Sequence, residues 1–455
     1  MQRPIFLTVF LSLLFVCPYV SAEDTRFSRL TKRLFPPAKT EIQRNKENPL
    51  RQNTRPRRSD AAPRFNNTRP SKDGFVSLFN GKDLTGWAVK GGDATYHVED
   101  GCIVGVVNDQ RRNTFLCSEK EYENFIFKAE FKFDKNFNSG IQFRSKTRPD
   151  GDRVIVYGYQ CEMEPAGMTG AIYDEGRRGI WLNTVTDELT ERSKKPFKQG
   201  EWNELEIQCV GPSIRTWLNG EPVSDLFDTM TDRGFFGLQV HAANEGQVRW
   251  RNIRVKELPA TPWKPFFKNK QFAGLEVKPA GEWKFLDDGS VYAVSTPDEK
   301  RDGMVLSKEV FNDFAVRVTF KKGKGNSGMY FRAHEIDAPH WVCGFQCEIE
   351  GNHAAGGLWE VGGRPSKGRG WVFLPSEENA KNNKAHDWND ISTVAVGDRI
   401  VTSLNGALVV DKVDPDCLKN GKTALQLHGG SDMEYWFKNY DIMPLNKEMV
   451  NLITR

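Results

Sequence analysis

The sequence predicts an all-β protein made of two tandem copies of one β-sandwich, and three observations predict it. Five motifs recur at a nearly constant spacing of 186 to 188 residues, which marks a duplicated domain rather than a short solenoid repeat. Within each copy, apolar and polar residues alternate with a period of two. Asn219-Gly220 and Asn405-Gly406 separate such runs, the strongest short-range hairpin signal, and no long amphipathic helix pattern stands out.

The first element is an address. Arg3 precedes an apolar run from Ile5 to Val16, and Tyr19-Val20-Ser21-Ala22 closes it with small residues, so residues 1–22 read as a signal peptide cut after Ala22. The run is shorter than the ~20 residues of a membrane span, so no stable span is expected. Pro18 after Cys17 argues against a lipid anchor. Residues 23–72 hold 14 Lys+Arg against 5 Asp+Glu, with few aromatics and no period, and read as a disordered basic linker. It is either a spacer or a segment drawn to an anionic surface. The expected location is periplasmic, secreted or at the cell envelope. The whole chain carries only +4, so the part after the linker is mildly acidic and lacks the footprint of a nucleic-acid binder.

The first copy spans 73–258 and the second 263–455, divided at Pro259-Ala260-Thr261-Pro262. Asn138-Ser139-Gly140-Ile141-Gln142-Phe143-Arg144 returns as Asn326-Ser327-Gly328-Met329-Tyr330-Phe331-Arg332. Gly158-Tyr159-Gln160-Cys161-Glu162-Met163-Glu164 returns as Gly344-Phe345-Gln346-Cys347-Glu348-Ile349-Glu350. Trp202-Asn203, Leu218-Asn219-Gly220 and Leu238-Gln239-Val240-His241 return as Trp388-Asn389, Leu404-Asn405-Gly406 and Leu425-Gln426-Leu427-His428. Phe125, Phe127, Ala129, Phe131 and Phe133 share one strand face, as do Phe314, Val316, Val318 and Phe320. Two stacked antiparallel sheets per copy, a sandwich or jelly roll, follow. Seven cysteines remain after the leader, an odd number without CxxC spacing, so buried thiols are expected in place of a disulfide framework or a zinc site.

Taken together, Phe79-Asn80-Gly81-Lys82-Asp83-Leu84-Thr85-Gly86-Trp87, the Asn138-Ser139-Gly140-Ile141 strand, Gly158-Tyr159-Gln160, Tyr173-Asp174-Glu175-Gly176-Arg177-Arg178, Trp202-Asn203 and Gly237-Leu238-Gln239-Val240-His241 with Arg251-Asn252-Ile253 resemble the 3-keto-disaccharide hydrolase domain family. That family is also described as 3-keto-glucoside 1,2-lyase/3-keto-2-hydroxyglucal hydratase. The resemblance covers roughly 75–258 well and 263–445 more loosely. It implies concanavalin A-like jelly rolls, export, and a carbohydrate substrate of the 3-keto-glycoside class.

On the residues themselves, Gln160, Glu162 and Glu164 alternate with Tyr159, Cys161 and Met163, so one set faces the core and the other the open face. Carboxylates two residues apart stand ~6.6–6.8 Å apart along a strand, within reach of one sugar ring. A solvated polar face is the plainer reading, but Gln346, Glu348 and Glu350 repeat the pattern. A ketone at C3 acidifies the C2 proton, so a base, an acid for the leaving oxygen and a partner for the enediolate are needed. Glu162 is the candidate base, with Glu164 behind it, and Asp174 or Glu175 the candidate acid. Tyr173, Arg177 and Arg178 are candidate substrate or oxyanion partners, unless the arginines are plain surface groups. Arg144 is expected on the concave side, or else in a structural ion pair. His241 and His428 close equivalent strands and either relay a proton or serve structure. Trp181, Trp359 and Trp371 can stack on a pyranose. The second copy has Trp359-Glu360-Val361-Gly362-Gly363-Arg364 where the first has the Asp174 loop, so it is expected either to bind sugar and turn it over poorly or, with both copies active, to act on a different glycoside. No cofactor is expected, a divalent metal is left open, and the assembly state is not readable. A lectin-like module or an ordinary concanavalin-like glycosidase would use the same face.

Overall fold

The computed structural model describes residues 71–454 apart from 110, 136 and 365–367. The leader expected at 1–22 and nearly all of the linker expected at 23–72 lie outside the described residues.

Alternation decides the layers. Along Phe125–Lys135 the residues Phe125, Phe127, Ala129, Phe131 and Phe133 are buried and those between them only half-buried, because a strand sends successive side chains to opposite faces. This strand lies inside an eight-stranded antiparallel sheet. Its path runs Glu221–Phe227, Ser213–Leu218, Asn203–Val210, Phe125–Lys135, Gln247–Glu257, Cys102–Val106, Thr95–Glu99, with Val76–Ser77 paired to Gln247–Glu257. A six-stranded sheet packs against it in the order Trp87–Gly91, Thr114–Ser118, Phe235–Val240, Ser139–Asp150, Arg153–Met163, Ile172–Glu175. Phe127, Phe131 and Trp250 from the first sheet meet Ile141, Tyr159 and Phe236 from the second in one cluster.

The second copy repeats the plan with an eight-stranded sheet around Phe314–Lys324 and a seven-stranded sheet around Ser327–Glu335 and Val342–Ile349. The expected all-β fold of two tandem jelly-roll sandwiches is therefore what the chain adopts. Asn219-Gly220 and Asn405-Gly406 all have positive φ, from +51° to +87°, as a type I′ turn requires. Two eight-residue helices, Asp187–Lys194 and Lys447–Thr454, are additions that the period-two reading did not show. Neither they nor any other helix among the described residues is long and apolar enough to cross a membrane. The seven cysteines are unpaired, six of them buried.

The alternation fails informatively at Ala315, which is buried although its parity points away from the second core. Ala315, Val394, Val396, Val401 and Met443 lie on the far face of that sheet and meet Val210 and Phe227 of the first sandwich, with Met449 and Ile453 from the last helix. Burial of this outer face joins the sandwiches. Polar bonds frame the contact: Arg399 to Asp225 at 2.7 Å, Thr229 to Ser392 at 3.0 Å, and Arg178 to the Gly406 carbonyl at 2.6 Å.

Arg144 is a correction. The strand Ser139–Asp150 shifts register against its neighbour between Phe143 and Lys146, and Arg144 there takes φ +46°. A bulge re-aims the side chain it carries. Arg144 is buried rather than on the open face, donating to the carbonyls of Glu123 and Gly211 at 2.8 Å each and to Asn124 Oδ1 at 3.1 Å. Arg332, at φ +48°, repeats the clamp on Asn312 and Gly397. The repeated Asn-Ser-Gly-x-x-Phe-Arg motif thus ends in a structural residue that ties the sheets together.

Phe236 is fully buried and packs on Tyr122, Phe125 and Phe127 with centroids 4.5 to 4.8 Å away. Phe236→Ala is expected to cost about 3–5 kcal/mol, read from denaturant unfolding of the full chain. A loss under about 1 kcal/mol would mean that this cluster does not hold the first sandwich together.

Candidate functional site

Register builds the site. Gly140 stands opposite Glu162 and Gln142 opposite Gln160, and Tyr173 opposite Gln160 and Glu175 opposite Gly158. Gln142, Gln160, Glu162, Tyr173 and Glu175 therefore share the face turned away from the core, while Ile141, Tyr159, Cys161 and Ile172 point inward. Gly140 is required by close approach: a Cβ there would lie 2.5 Å from Gln160 Cδ. Gly328 repeats this against Gln346.

The open face is not a solvated one. Glu162 is 3% exposed, Gln160 1%, and Gln142 and Gln239 are fully buried. Their amides form a chain that ends on the carboxylate. Ser145 donates to Gln142, Gln142 donates to Gln160 Oε1 at 3.1 Å, and Gln160 donates to Glu162 Oε2 at 3.1 Å. Asn138 Nδ2 spans the two acids, giving 2.6 Å to Glu162 Oε1 and 3.1 Å to Glu164 Oε2. Burial pushes the Glu162 carboxyl up to about 8, and the charges of Glu175 and Glu164 add to the rise while Gln160 and Asn138 oppose it. Burial also raises Glu175, against a 3.0 Å bond from Asn113 Nδ2. Tyr173 is raised by burial and by the Glu175 and Glu162 charges. At the strand end, His241 Nδ1 lies 2.9 Å from the Ala242 carbonyl and burial lowers its pKa, opposed by that bond and by Glu164. Trp181 stands edge-on to Tyr173 at 5.1 Å.

Asp174, Arg177 and Arg178 are not part of this face, contrary to expectation. Asp174 has the inward parity and no exposure. Arg177 Nε bonds it at 2.9 Å, Arg178 Nε bonds it closely, and Arg178 continues to Asp228 at 2.7 Å. A buried carboxylate needs such partners, and Arg178 carries the network on to Gly406 of the second sandwich. The second copy has the equivalent cluster: Glu360 and Asp414 grip Arg364. The contrast drawn from this loop between an active and a degenerate copy therefore loses its basis.

In the second copy Gln346, Glu348 and Trp359 lie where Gln160, Glu162 and Tyr173 lie in the first. Trp359 and Trp371 repeat the edge-on aromatic pair at 5.1 Å. Asn326 again spans two acids, at 3.2 Å to Glu348 and 2.8 Å to Glu350. Burial raises Glu348 to about 7, with Glu350 adding and Asn326 opposing. Burial works against Glu350, yet its bond from Lys322, with those from the Gly351 amide and Asn326, holds it below the usual carboxylate range. His428 Nδ1 lies 2.8 Å from the Gly429 carbonyl. The sequence reading missed Asn113, Asn138, Gln142 and Gln239 as site residues. Asn138 and Gln239 were findable, since both belong to repeated motifs.

Among the described residues no group of three His, Cys, Asp or Glu is placed to hold a metal ion. The wider clefts lie elsewhere. One of about 490 Å³ lies between Thr229 and the second sandwich's Arg317, Asp390 and Asn405, and another of about 450 Å³ lies at the far end of the six-stranded sheet by Lys90, Tyr157 and Phe235. Neither is lined by Glu162.

The model of the 3-keto-alpha-glucoside-1,2-lyase-like domain matches residues 74–256 and again 262–443. The chain belongs to that family. A curated relative, the 3-keto-disaccharide hydrolase of Bacteroides thetaiotaomicron, is 27% identical over 236 residues, covering 41% of this chain and 79% of the relative. A solved candidate glycosyl hydrolase from Parabacteroides distasonis is 22% identical, with a TM-score of 0.32, over 41% of this chain and 95% of that one. A β-glucanase of Bacillus licheniformis is 13% identical with a TM-score of 0.31, over 42% of this chain and all of that one.

Two outcomes follow from the site's electrostatics. Folded Glu162 keeps its proton up to about pH 8, whereas its ordinary value is 4.5. The folded state therefore holds an extra proton between those limits, and this group's contribution to stability falls as pH rises through them. Relative to Glu162→Gln, the wild type is expected to lose stability from pH 5 to 8, by at most about 1.4 kcal/mol per pH unit, in urea titrations. Parallel curves would place the Glu162 pKa near that of an exposed carboxylate. Asp174→Asn, by contrast, breaks a buried ion pair and is expected to cost about 3–5 kcal/mol, with the folded fraction keeping its activity. Full stability with lost activity would return Asp174 to the chemistry.

Proposed function

We propose that the chain cleaves 3-keto-glycosides by removal of the C2 proton, elimination at C1 and hydration of the product. The single observation that carries this reading is the Glu162 carboxyl, desolvated on a sheet face, held from both sides by Asn138 and Gln160, with a pKa of about 8. A proton-transfer group works best with a pKa near the working pH. When ionised, this carboxylate is a stronger base than an exposed one.

In the first step Glu162 takes the C2 proton, and the C–H electron pair forms the enediolate of the C3 ketone. Collapse of the enediolate breaks the C1–O bond, and the departing oxygen takes a proton from Glu175, which burial keeps protonated to higher pH. Water then adds its oxygen to C1 and gives a proton to Glu175, and the proton held by Glu162 returns to C2. Gln239 Nε2 is buried with no hydrogen-bond partner among the described residues. An unmet buried donor costs about 1–3 kcal/mol, so a substrate oxygen accepting from it gains that much. It is the natural partner for the enediolate, the task once expected of Arg177 and Arg178. Tyr173 and Trp181 offer an aromatic corner for the ring.

The test is aglycone release from a 3-keto-glucoside and from its unoxidised parent. Only the ketone is expected to react, and Glu162→Gln is expected to lower the first sandwich's turnover ~10²–10⁴-fold with little change in sugar binding. Equal release from both substrates would favour an ordinary glycosidase, and binding without release a lectin.

A further inference from the structure

The open face of the second sandwich carries a different set of titratable groups from the first. The seven-stranded sheet places Asp302 just before Gly303–Ser307, where the first sandwich has Asn113 before Thr114–Ser118. The backbone bond is kept: Asn113 Oδ1 accepts from the Ala242 amide at 2.9 Å and Asp302 Oδ1 from the Gly429 amide at 2.8 Å. The other side-chain atom finds a new partner. Asn113 Nδ2 holds Glu175, but the residue in the place of Glu175 is Val361. Asp302 Oδ2 instead bonds His340 Nδ1 at 2.9 Å and accepts from Gln426 Nε2 at 2.5 Å.

Asp302 is 1% exposed, while the His340 side chain is partly open at 19%. Burial opposes ionisation of Asp302, yet the bonds from His340, the Gly429 amide and Gln426 hold its carboxyl below the usual range. An ionised carboxylate only accepts, so Nδ1 carries the ring proton and Nε2 is the basic nitrogen. The pair connects to the acid face through amides: Gln426 Oε1 accepts from Gln346 at 3.4 Å, and Gln346 stands two residues before Glu348. Tyr330, in the register place of Gln142, accepts from Gln426 at 3.2 Å and feels the charges of both Asp302 and Glu348. His428 closes the group, its ring centroid 6.3 Å from that of His340. Of the charges close to this cluster, Arg301 and Asp337 pair at 3.0 Å, Arg301 and Lys278 both lie over the Trp341 ring, and Arg369 acts on Tyr330.

We infer that the second sandwich is a second catalytic site, in which His340, oriented by Asp302, and Glu348 transfer protons on a carbonyl-bearing sugar. The inference rests on the sugar chemistry proposed above. His340 Nε2 takes the proton next to the ketone, whose electron pair forms the enediolate. The C1–O bond breaks, and Glu348 gives its proton to the leaving oxygen. Addition of water then supplies the proton that returns to Glu348 and accepts at carbon the one held by His340. Asp302 is a positioning residue, and Glu348 has in Lys322 a cation beside its neighbour Glu350 where the first sandwich has Phe133.

The experiment uses the full chain. Glu162→Gln silences the first site, and the remaining aglycone release from a 3-keto-glucoside is followed as a second change is added. Glu162→Gln is expected to retain measurable turnover. Adding His340→Ala is expected to lower that residue ~10²-fold or more, with partial recovery on adding imidazole. Adding Asp302→Asn is expected to lower kcat while leaving KM within about twofold. Residual turnover unchanged by His340→Ala overturns the inference and leaves the proposed function standing. A wild type without turnover on any 3-keto-glucoside removes the proposed function instead. In that case histidine ring NMR decides the second site. Movement of the His340 signals on adding the 3-keto-glucoside or its parent keeps it as a sugar site, and no movement overturns it.

Discussion

The whole site depends on the desolvation of one carboxylate. Strand pairing forces Glu162 onto a face crowded by Gln142, Gln160 and Gln239, where only 3% of it is left open. A charge in that place is costly unless hydrogen bonds meet it. Asn138 and the relay of amides from Ser145 supply those bonds and fix the carboxyl's orientation. The same crowding explains why a glycine must stand opposite the acid: a side chain on Gly140 would displace Gln160 and break the relay.

Much of this was legible in the sequence, and the limits of legibility are physical. Period-two alternation placed Phe125 to Phe133 inward and Gln160, Glu162 and Tyr159 on opposite faces, because parity depends only on strand geometry. Parity also separates Glu175 from Asp174, but only once the pairing of Ile172–Glu175 with Gly158 to Cys161 is known. The acidic loop therefore read as chemistry, although half of it is an ion-pair network beneath the sheet. Arg144 was misplaced for a related reason. A bulge changes local alternation without leaving a mark in the composition of the strand. Asp302 and His340 were invisible because no motif repeat includes them, and their meeting depends on the turn between Ser327–Glu335 and Val342–Ile349, where the first copy has a longer paired hairpin instead.

The two copies separate what the fold needs from what the site chooses. Both keep the arginine clamp, the asparagine bridge between two acids, the glycine under the glutamine and the edge-on aromatic pair. They differ in the polar groups placed around that frame: Glu175 held by the neutral amide of Asn113 in one, His340 held by Asp302 in the other. The frame tolerates the exchange because these groups sit at strand ends and loops, where no core contact depends on their shape.

The apolar cluster beneath the sandwich contact has a consequence for independence. Val210 and Phe227 belong to one sandwich, while Ala315, Val394 and Met443 belong to the other, and none is exposed while the two remain together. Opening either half bares the flank of its neighbour to water, so the stabilities of the two halves are coupled through solvent exposure. A truncation at the proline-flanked junction would leave each fragment with an adhesive side, and aggregation of a half-chain would report the severed contact rather than a defect in its own sheet.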